Sequence, residues 1–272
     1  MTPESIAAAA DVLFQARRDG CWLAGLPEGL APSTVDEGYA IQEAFRALWG
    51  AHRVSGWKVG ATAKVIMDRF GVSEPFVGPF FDGDLVESPA ELAAAQHPYL
   101  CVEAEFAFRL GRAITPRPAP YSRDEMVEAI ASVMPAWEVI GPRYSSLMFA
   151  QVASAIADCG LNQAMVLGSE TKDWRRLHLS RHPVRFLVDG KLKAEGSGAA
   201  VMGDPITAMV WTANHFSKRG LTLSAGQIIS TGATCGVQFL EPGELAEADF
   251  GDLGRISIRF FGPRSPVIVQ RS

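Results

Sequence analysis

The run Val102-Glu103-Ala104-Glu105-Phe106-Ala107-Phe108 places two acidic residues, one residue apart, inside an otherwise apolar segment. Side chains alternate between the two faces of a β-strand, so a strand here would point Glu103 and Glu105 to one face and the apolar side chains to the other. The two carboxylates would lie about 7 Å apart and repel each other. Burying both without a partner would cost free energy. The run therefore predicts either a positive partner between the two acids or a strand face that is open to water.

A third acidic residue, Glu138, lies in the apolar run Met134-Pro135-Ala136-Trp137-Glu138-Val139-Ile140. If Glu103, Glu105 and Glu138 converge, they form a site with oxygen ligands only. Mg²⁺ and Mn²⁺ prefer carboxylate and water ligands in octahedral geometry. Spacing alone leaves two alternatives open, which are a divalent-metal site and a solvated strand face with Glu138 at a strand end.

Lys58 lies in the segment Gly56-Trp57-Lys58-Val59-Gly60-Ala61-Thr62, among small and apolar residues. A lysine in such surroundings is either a strand residue that extends its ammonium to water or a buried group with a function. A desolvated lysine beside an anionic substrate can bind the substrate or transfer protons. Both interpretations stay open on the sequence alone.

Two further segments carry candidate residues with equally open interpretations. Asp82 and Asp84, in Phe80-Phe81-Asp82-Gly83-Asp84, are typical of an Asx turn when taken by themselves. Asp158 and Asn162 either hydrogen-bond a loop near the metal or have a structural role, and we take Asp158 as a candidate substrate-binding residue.

The run Thr231-Gly232-Ala233-Thr234-Cys235-Gly236 is a glycine-rich loop without a Walker lysine or a dinucleotide fingerprint. It is either a tight turn or a loop whose backbone N–H groups hold a carboxylate. In the second case Thr231 and Gly232 are the candidate substrate-binding residues. Cys235 has no histidine at an obvious partnering position, which argues against a nucleophilic role.

Composition excludes several classes of protein. A hydrophobic fraction of 48% with 20% charged residues is that of an ordinary soluble globular chain, and the net charge of −5 with no basic aromatic block argues against nucleic-acid binding. The apolar stretches are too short to span a membrane, and the N-terminus is typical of a mature amphipathic helix, not a signal peptide. The four cysteines lie far apart, so we expect free thiols in the cytoplasm and no zinc site.

The pattern of elements divides the chain of 272 residues into a helical N-terminal region, 1–55, and a β-rich catalytic domain, 56–272. The first region predicts one helix that ends near Gly20 and a second that begins at Ser33 or Thr34 and ends at Gly50. After Gly56, short β-rich runs alternate with glycine and proline turns. Strands without a regular β-α-β order favour the α+β class.

Three local signals mark elements within the β-rich part. Asp189-Gly190 predicts a hairpin turn. Ser122 and Glu125 form a capping box that predicts a helix carrying Met126, Val127, Ile130 and Val133. Asp204-Pro205 predicts the start of another helix, which ends at Gly220.

Six stretches, taken in order, resemble the hydratase and decarboxylase branch of the fumarylacetoacetate hydrolase superfamily. The resemblance runs from about residue 35 to residue 262, and the E-x-E pair with a third glutamate and an upstream lysine is specific as a set. The stretches are GWKVGAT, GVSEPFVG, VEAEFAFRLGR, PAWEVIGPR, ADCGLNQAMVLG and GQIISTGATCG.

The resemblance implies a fold and a set of site residues. The fold is a mixed β-sheet roll of the fumarylacetoacetate hydrolase type with a small helical N-terminal region, usually in a homo-oligomer. Glu103, Glu105 and Glu138 would hold Mg²⁺ or Mn²⁺. Lys58 matches the family lysine of a K-[IVL]-G-x-[TS] motif, whose last position, Thr62, we take as substrate-binding. A family acid that follows Gly78 by four or five residues matches Asp82, with Asp84 as the alternative, and both Lys58 and Asp82 would be catalytic.

The resemblance also implies an activity. It is the metal-dependent hydration of a 2-hydroxy-2,4-dienoate or 2-oxo-enoate, such as 2-hydroxypenta-2,4-dienoate, in aromatic catabolism. The alternatives are decarboxylation of a vinylogous 2-oxo acid of the 4-oxalocrotonate type and a non-catalytic partner that associates with a pathway enzyme. Two departures bear on the substrate: Leu161 lies near a position that is serine in some hydratases, and Gly78-Pro79-Phe80-Phe81 is more apolar than in several relatives.

Overall fold

Two β-sheets form the frame of the molecule. The computed structural model of the protein describes residues 1–50, 53–145, 151–264 and 269–270. The helices of the described residues are α1 (Pro3–Asp19), α2 (Val35–Leu48), α3 (Lys64–Phe70), α4 (Arg123–Ala129), α5 (Val152–Ala157) and α6 (Pro205–Lys218). In these residues no helix combines the length and the apolar character that crossing a membrane requires.

The strands follow one another along the chain without a regular alternation with helices. They are β1 (Trp22–Leu23), β2 (Val54–Gly60), β3 (Phe76–Phe81), β4 (Leu85–Glu87), β5 (Ala90–Ala93), β6 (Cys101–Leu110), β7 (Ile130–Ile140), β8 (Asn162–Leu167), β9 (Pro183–Val188), β10 (Lys191–Ser197), β11 (Ile228–Ala233), β12 (Gln238–Phe239), β13 (Leu245–Asp249), β14 (Arg255–Phe261) and β15 (Val269–Gln270).

The larger sheet has the order β3-β2-β11-β6-β7-β8-β4, with β12 also paired to β6. The smaller sheet has the order β10-β9-β13-β14-β5, and β1 pairs with β15. Both sheets are mixed, since β2 runs parallel to β11 and β5 runs parallel to β14 while most other pairs are antiparallel. This architecture confirms the predicted α+β class and mixed sheets.

The main core lies between the two sheets. Val102, Ala104, Phe106 and Phe108 of β6 are all fully buried in it. The ring of Trp137 on β7 meets Phe186 on β9 edge-to-face at 5.6 Å, so the apolar faces of the two sheets pack directly against each other. The alternation of the opening run thus places its apolar side chains in the core and its two acids on the opposite face.

The N-terminal helices cover one end of the larger sheet. Helix α1 ends at Gly20 in the left-handed conformation and α2 begins after Thr34, both as predicted. Thr34 and Glu37 form a capping box at the start of α2. Phe45 of α2 packs against Phe81 of β3 with ring centroids 6.1 Å apart. The two helices therefore share a core with strands of the β-rich part, and the division at residue 55 stays a prediction.

The local signals further along the chain give two confirmations and one correction. Asp189-Gly190 turns between β9 and β10, and α6 begins at Pro205 after the cap Asp204. The helix after Ser122 ends at Ala129, however, and Ile130 and Val133 belong to β7. Pairing of β7 with β6 along nearly its whole length outweighs the helical spacing of these β-branched residues, which favour strands.

Candidate active site

Three glutamates converge on the face of the larger sheet that is turned away from the main core. Glu103 of β6 lies directly opposite Glu138 of β7, and Glu105 lies two residues further along β6 on the same face. One carboxylate oxygen from each of the three lies within 4.8 Å of the others. The register of one strand pair thus assembles a cluster of three carboxylates.

The cluster is buried. Glu105 and Glu138 have 0% of their surface exposed, and Glu103 is half-buried. The alternative of a solvated strand face is therefore wrong for Glu105, and Glu138 is buried within β7, two residues before its end. Burial and the carboxylate of Glu138 raise the pKa of Glu103 to about 7, and burial, Glu138 and Glu103 raise the pKa of Glu105 well above its usual range.

The hydrogen bonds of the cluster leave two oxygen atoms without protein partners. Oε2 of Glu105 accepts a hydrogen bond from the backbone nitrogen of Gly232 at 2.9 Å and another from the hydroxyl of Ser230. Among the described residues, Oε1 of Glu105 and Oε2 of Glu138 have no hydrogen-bond partner. Buried carboxylate oxygens that lack donors and lie near one another are a suitable donor set for a hard divalent cation. The three glutamates therefore fit a metal of the Mg²⁺ or Mn²⁺ type.

Lys58 supplies a positive charge beside the cluster. It lies in the middle of β2, opposite Gly78 of β3 and Ser230 of β11, and is only 6% exposed. Its Nζ lies 2.7 Å from Oε1 of Glu138 and donates a hydrogen bond to the carbonyl of Gly160 at 3.0 Å. Burial alone would lower the pKa of Lys58, but Glu138 and Glu103 together raise it. The side chain is therefore a buried ammonium, and the solvated-strand alternative for Lys58 is wrong.

The carbonyl that receives Lys58 belongs to a strained turn. Cys159, Gly160 and Leu161 have φ angles of 51°, 69° and 67°, so three consecutive residues are left-handed, two of them non-glycine. The turn packs closely on β3, where a Cβ on Gly78 would lie 2.0 Å from the carbonyl oxygen of Cys159. Such a conformation persists only where the surroundings hold it.

A buried ion pair holds this turn. The carboxylate of Asp158 accepts hydrogen bonds from the backbone nitrogen of Arg143, at 2.8 Å, and from its Nε. The guanidinium also donates to the carbonyls of Asp158 and Asn162, at 3.1 Å and 2.9 Å. Asn162 in turn donates to the carbonyl of Cys159 at 2.8 Å. Asp158 and Asn162 thus brace the turn behind Lys58.

A cavity of about 240 Å³ opens beside the cluster. Lys58, Glu103, Thr62 and Gly232 are among the residues that line it. Gly232 has a φ of +109°, and a Cβ at this position would lie 1.9 Å from Oγ1 of Thr62. Only glycine therefore lets the end of β11 approach Thr62 and Glu105 at the same time.

Six of the candidate residues lie outside the cavity lining, namely the buried glutamates Glu105 and Glu138 of the cluster, the bracing residue Asp158, and Asp82, Asp84 and Thr231. Asp82 is in the turn after β3, where its half-exposed carboxylate accepts hydrogen bonds from the backbone nitrogen of Arg53 and the hydroxyl of Ser55. Asp84 accepts from the backbone nitrogen of Phe81. The hydroxyl of Thr231 donates to the carbonyl of Phe106, in the backbone between β11 and β6. The structure therefore brings Lys58, Thr62, Gly232 and the three glutamates together, and places Asp82, Asp84 and Thr231 apart from them.

Sequence reasoning missed Ser230, Arg143 and the carbonyl of Gly160. Ser230 directly precedes Thr231, so the run Ile228-Ile229-Ser230-Thr231 offers two hydroxyls and does not single out Ser230. Arg143 is a charge three residues after the end of the apolar strand β7 and is only 4% exposed. The carbonyl of Gly160 has no sequence signal, because any residue provides one.

The protein is thus an α+β protein with two sheets and a cluster of three carboxylates beside a cavity. A sequence profile described as fumarylacetoacetate (FAA) hydrolase C-terminal matches residues 81–261. The chain belongs to the fumarylacetoacetate hydrolase family.

Several relatives resemble the chain over nearly its whole length. The 2-keto-4-pentenoate hydratase of Paraburkholderia xenovorans (strain LB400) is 34% identical over 267 residues, which is 96% of this chain and 96% of the relative. A 4-oxalocrotonate decarboxylase of a Pseudomonas sp is 29% identical over 239 residues, covering 85% of this chain and 91% of that one. The solved structure of 4-oxalocrotonate decarboxylase from Pseudomonas putida G7, complexed with magnesium and adipate, superposes with a TM-score of 0.89 at 24% identity, covering 96% of this chain and 99% of that chain, and shows the same fold.

Proposed function

We propose that the protein is a hydro-lyase that adds water to a 2-hydroxy-2,4-dienoate or 2-oxo-enoate in a divalent-metal-dependent reaction. The observation that carries this proposal is the convergence of Glu103, Glu105 and Glu138 with the ammonium of Lys58. Of these residues, Glu103 and Lys58 line the cavity. Similarity to a 2-keto-4-pentenoate hydratase over nearly the full chain supports the reaction class. 2-Hydroxypenta-2,4-dienoate is an example of such a substrate.

Glu103, Glu105 and Glu138 would hold the cation, for which Mg²⁺ or Mn²⁺ suits the all-oxygen donor set. When bound, it would supply Lewis-acid polarisation of the oxygen atoms of a 2-oxo acid. The remaining tasks fall to the side chains and the backbone of the chain. The turn of Gly232 and the hydroxyl of Thr62 lie at the same wall and would orient the substrate carboxylate.

Lys58 is the side chain best placed to move protons. Hydration begins when the dienol takes up a proton at C5 and loses the proton of its 2-hydroxyl group, which gives the conjugated 2-oxo-3-enoate. The hydroxyl of a water molecule then adds at C4, and a proton is added at C3. The Nζ atom of Lys58 holds a proton at the cavity wall, where Glu138 and the carbonyl of Gly160 fix its position. A catalytic role for Asp82 or Asp84 has less support, because neither lines the cavity or belongs to the carboxylate cluster. For Asp158, the bracing of the turn supports a structural role over substrate binding.

The experiment that tests the proposal is a substrate panel. The protein is incubated with Mg²⁺ or Mn²⁺ and a set of 2-hydroxy-dienoic acids, and loss of dienol absorbance is followed together with release of CO₂. The proposal predicts metal-dependent loss of absorbance without CO₂. If no dienoate is turned over with either metal, the proposal is wrong.

Decarboxylation of a vinylogous 2-oxo acid is the second candidate function. It is favoured by the similarity to a 4-oxalocrotonate decarboxylase at 29% identity. Release of CO₂ from 4-oxalocrotonate in the same panel would support it over hydration. A non-catalytic role is disfavoured by the assembled acids and lysine. A cytoplasmic location, a homo-oligomer and association with a pathway enzyme stay predictions, and size-exclusion chromatography with light scattering tests the oligomer.

A further inference from the structure

The wall of the cavity changes from charged to apolar within two residues along the strands. Ile140 follows Glu138 by two residues on β7, so it lies on the same face about 7 Å further along. On the neighbouring strand, Cys101 pairs with Ile140 and precedes Glu103 by two residues. Phe239 of β12 pairs with Cys101 and therefore projects to this face as well. Beyond the carboxylate cluster, the sheet thus presents Ile140 and Phe239 to the cavity.

The other sides of this outer part are also apolar. Ile66 and Phe70 lie four residues apart on α3 and share one helical face, which lines the cavity. Leu161, in the left-handed turn, and Val237 line it too. We call these six residues the outer wall: Ile66, Phe70, Ile140, Leu161, Val237 and Phe239.

Charge is distributed unevenly along the cavity. Among the described residues that line it, Lys58 and Glu103 are at the inner end, and Arg69 of α3 is an exposed residue. An exposed arginine attracts any anionic substrate, and every 2-oxo acid carries the carboxylate of C1. A second carboxylate placed against the outer wall would lose hydration to apolar neighbours. The charge pattern thus suits a molecule with one anionic end.

We infer that the outer wall binds an apolar tail of the substrate, so that the preferred substrates are 2-oxo acids and 2-hydroxy-dienoates with an alkyl or aryl group beyond C5 and no second carboxylate. The inference rests on the proposed function for what binds at the inner end. The inference adds the chemical class of the substrate group that lies against the outer wall.

A binding series of unreactive 2-oxo acids tests the inference without turnover. Calorimetry in excess Mg²⁺ compares 2-oxopentanoate, 2-oxohexanoate and 2-oxoheptanoate with the dicarboxylates 2-oxohexanedioate and 2-oxoheptanedioate. Each added methylene should tighten binding roughly fourfold, the value of one buried CH₂. A dicarboxylate should bind at least about tenfold more weakly than the monocarboxylate of the same chain length, because its second charge is desolvated. Equal or tighter binding of the dicarboxylates, a flat series, or no binding by any member would overturn the inference.

Variants of residues that line the cavity, compared with a control variant away from it, test where the apolar tail of the ligand binds. Phe239 is 64% exposed, so Phe239→Ala should fold normally and reduce the gain per methylene. Phe261→Ala is the control, since Phe261 is 50% exposed and lies on the smaller sheet, away from the cavity. It should leave the series unchanged. Arg69→Gln should weaken all members by a similar factor. A loss confined to the dicarboxylates in Arg69→Gln would instead indicate a site for a second carboxylate and overturn the inference.

The binding series and the substrate panel can fail independently of each other. If affinity rises along the series but no dienoate is turned over, binding of an apolar tail is supported and the proposed reaction is rejected. Turnover with a flat series, or with a preference for dicarboxylates, would support the reaction and reject the tail.

Discussion

Lys58 and Glu138 form a buried ion pair, with Nζ 2.7 Å from Oε1, at the junction between the carboxylate cluster and the left-handed turn at Gly160. Glu138 therefore contacts the lysine through Oε1, while its carboxylate also belongs to the three-glutamate cluster and its Oε2 has no hydrogen-bond donor among the described residues. This arrangement separates the group proposed to move protons from the groups proposed to hold a cation. The two functions can be removed one at a time.

Replacing Lys58 by methionine keeps most of the length of the side chain and removes its charge. We expect Lys58→Met to lower turnover by roughly 10²-fold or more, the effect of losing a general acid or base. Affinity for Mn²⁺ should be nearly unchanged, because the three glutamates remain. Steady-state kinetics and calorimetry measure both.

The control for this variant is Lys64→Met on α3, whose side chain is 81% exposed and pairs with Asp68. It should keep full turnover. Full turnover in Lys58→Met as well would mean that Lys58 has only a structural role.

Gly232 combines a left-handed backbone with a close approach to Thr62. In Gly232→Ala the new Cβ would lie 1.9 Å from Oγ1 of Thr62. We expect a loss of about 2 to 5 kcal/mol in unfolding free energy, from backbone strain and overpacking, together with loss of activity. Denaturant unfolding and an activity assay check this.

Gly236→Ala is the matched comparison, because Gly236 is also left-handed, with a φ of +74°, but has open space around its Cα. It should lose only the strain, about 1 to 2 kcal/mol. Equal losses in the two variants would contradict the close contact with Thr62.

Asp158 and Arg143 are both almost completely buried, at 0% and 4% exposure. Asp158→Asn leaves the guanidinium of Arg143 without its counter-charge, so we expect the unfolding free energy to fall by about 3 to 5 kcal/mol. Asp173→Asn serves as control, since its pair with Arg176 is exposed and should contribute less than about 1 kcal/mol. Similar small losses in both variants would mean that the pair does not hold the turn.

His97 gives the molecule a sensitivity to acid. Burial lowers the pKa of this histidine to about 4, whereas in the unfolded chain the imidazole titrates near its usual value of about 6.5. The unfolded state therefore binds a proton that the folded state does not accept until lower pH. Stability from this group is complete above about pH 6.5 and is lost as the pH falls toward 4.

Between about pH 7.5 and pH 5 the loss from His97 should be about 2 kcal/mol. His97→Gln cannot take up the proton, so its unfolding free energy should fall by that much less over the same interval. Denaturant titrations at the two pH values measure the difference. Parallel losses in the parent protein and the variant would show that His97 does not titrate in this way.

The sequence predicts features that depend on neighbouring residues better than those that depend on distant ones. The alternation in β6 determines which face Glu103 and Glu105 occupy, and the capping residue Thr34 marks the start of α2. The register that sets Glu103 opposite Glu138 is a long-range pairing, which no local pattern specifies. The same pairing ends α4 at Ala129.

The position of Asp82 shows the same limit within the candidate site. Its distance from the cavity depends on how the turn after β3 packs, where Asp82 meets Arg53 and Ser55. Spacing after Gly78 carries no information about that packing. Likewise, the pair between Lys58 and Glu138 joins strands that are not neighbours in the sheet. The residues that carry charge could be chosen from the sequence, but their partners could not.

The three glutamates are the proposed metal ligands, and removal of the metal tests this assignment. A ligand that binds only the folded state stabilises it by about 2.7 kcal/mol at 100 times its dissociation constant. For a chain of this size that corresponds to about 5 to 10 °C in melting temperature. Chelator-treated protein should therefore melt lower than protein in millimolar Mg²⁺ or Mn²⁺.

The most direct measurement is this metal-induced shift in melting temperature, compared between the parent protein, the double variant Glu103→Gln with Glu105→Gln, and the control Glu91→Gln, an exposed glutamate on β5. We expect a shift of several degrees in the parent and the control and none in the double variant, because neutral amides lose the charge that holds a hard cation. A full shift in the double variant would place the ion elsewhere and contradict the assignment of the three glutamates as metal ligands.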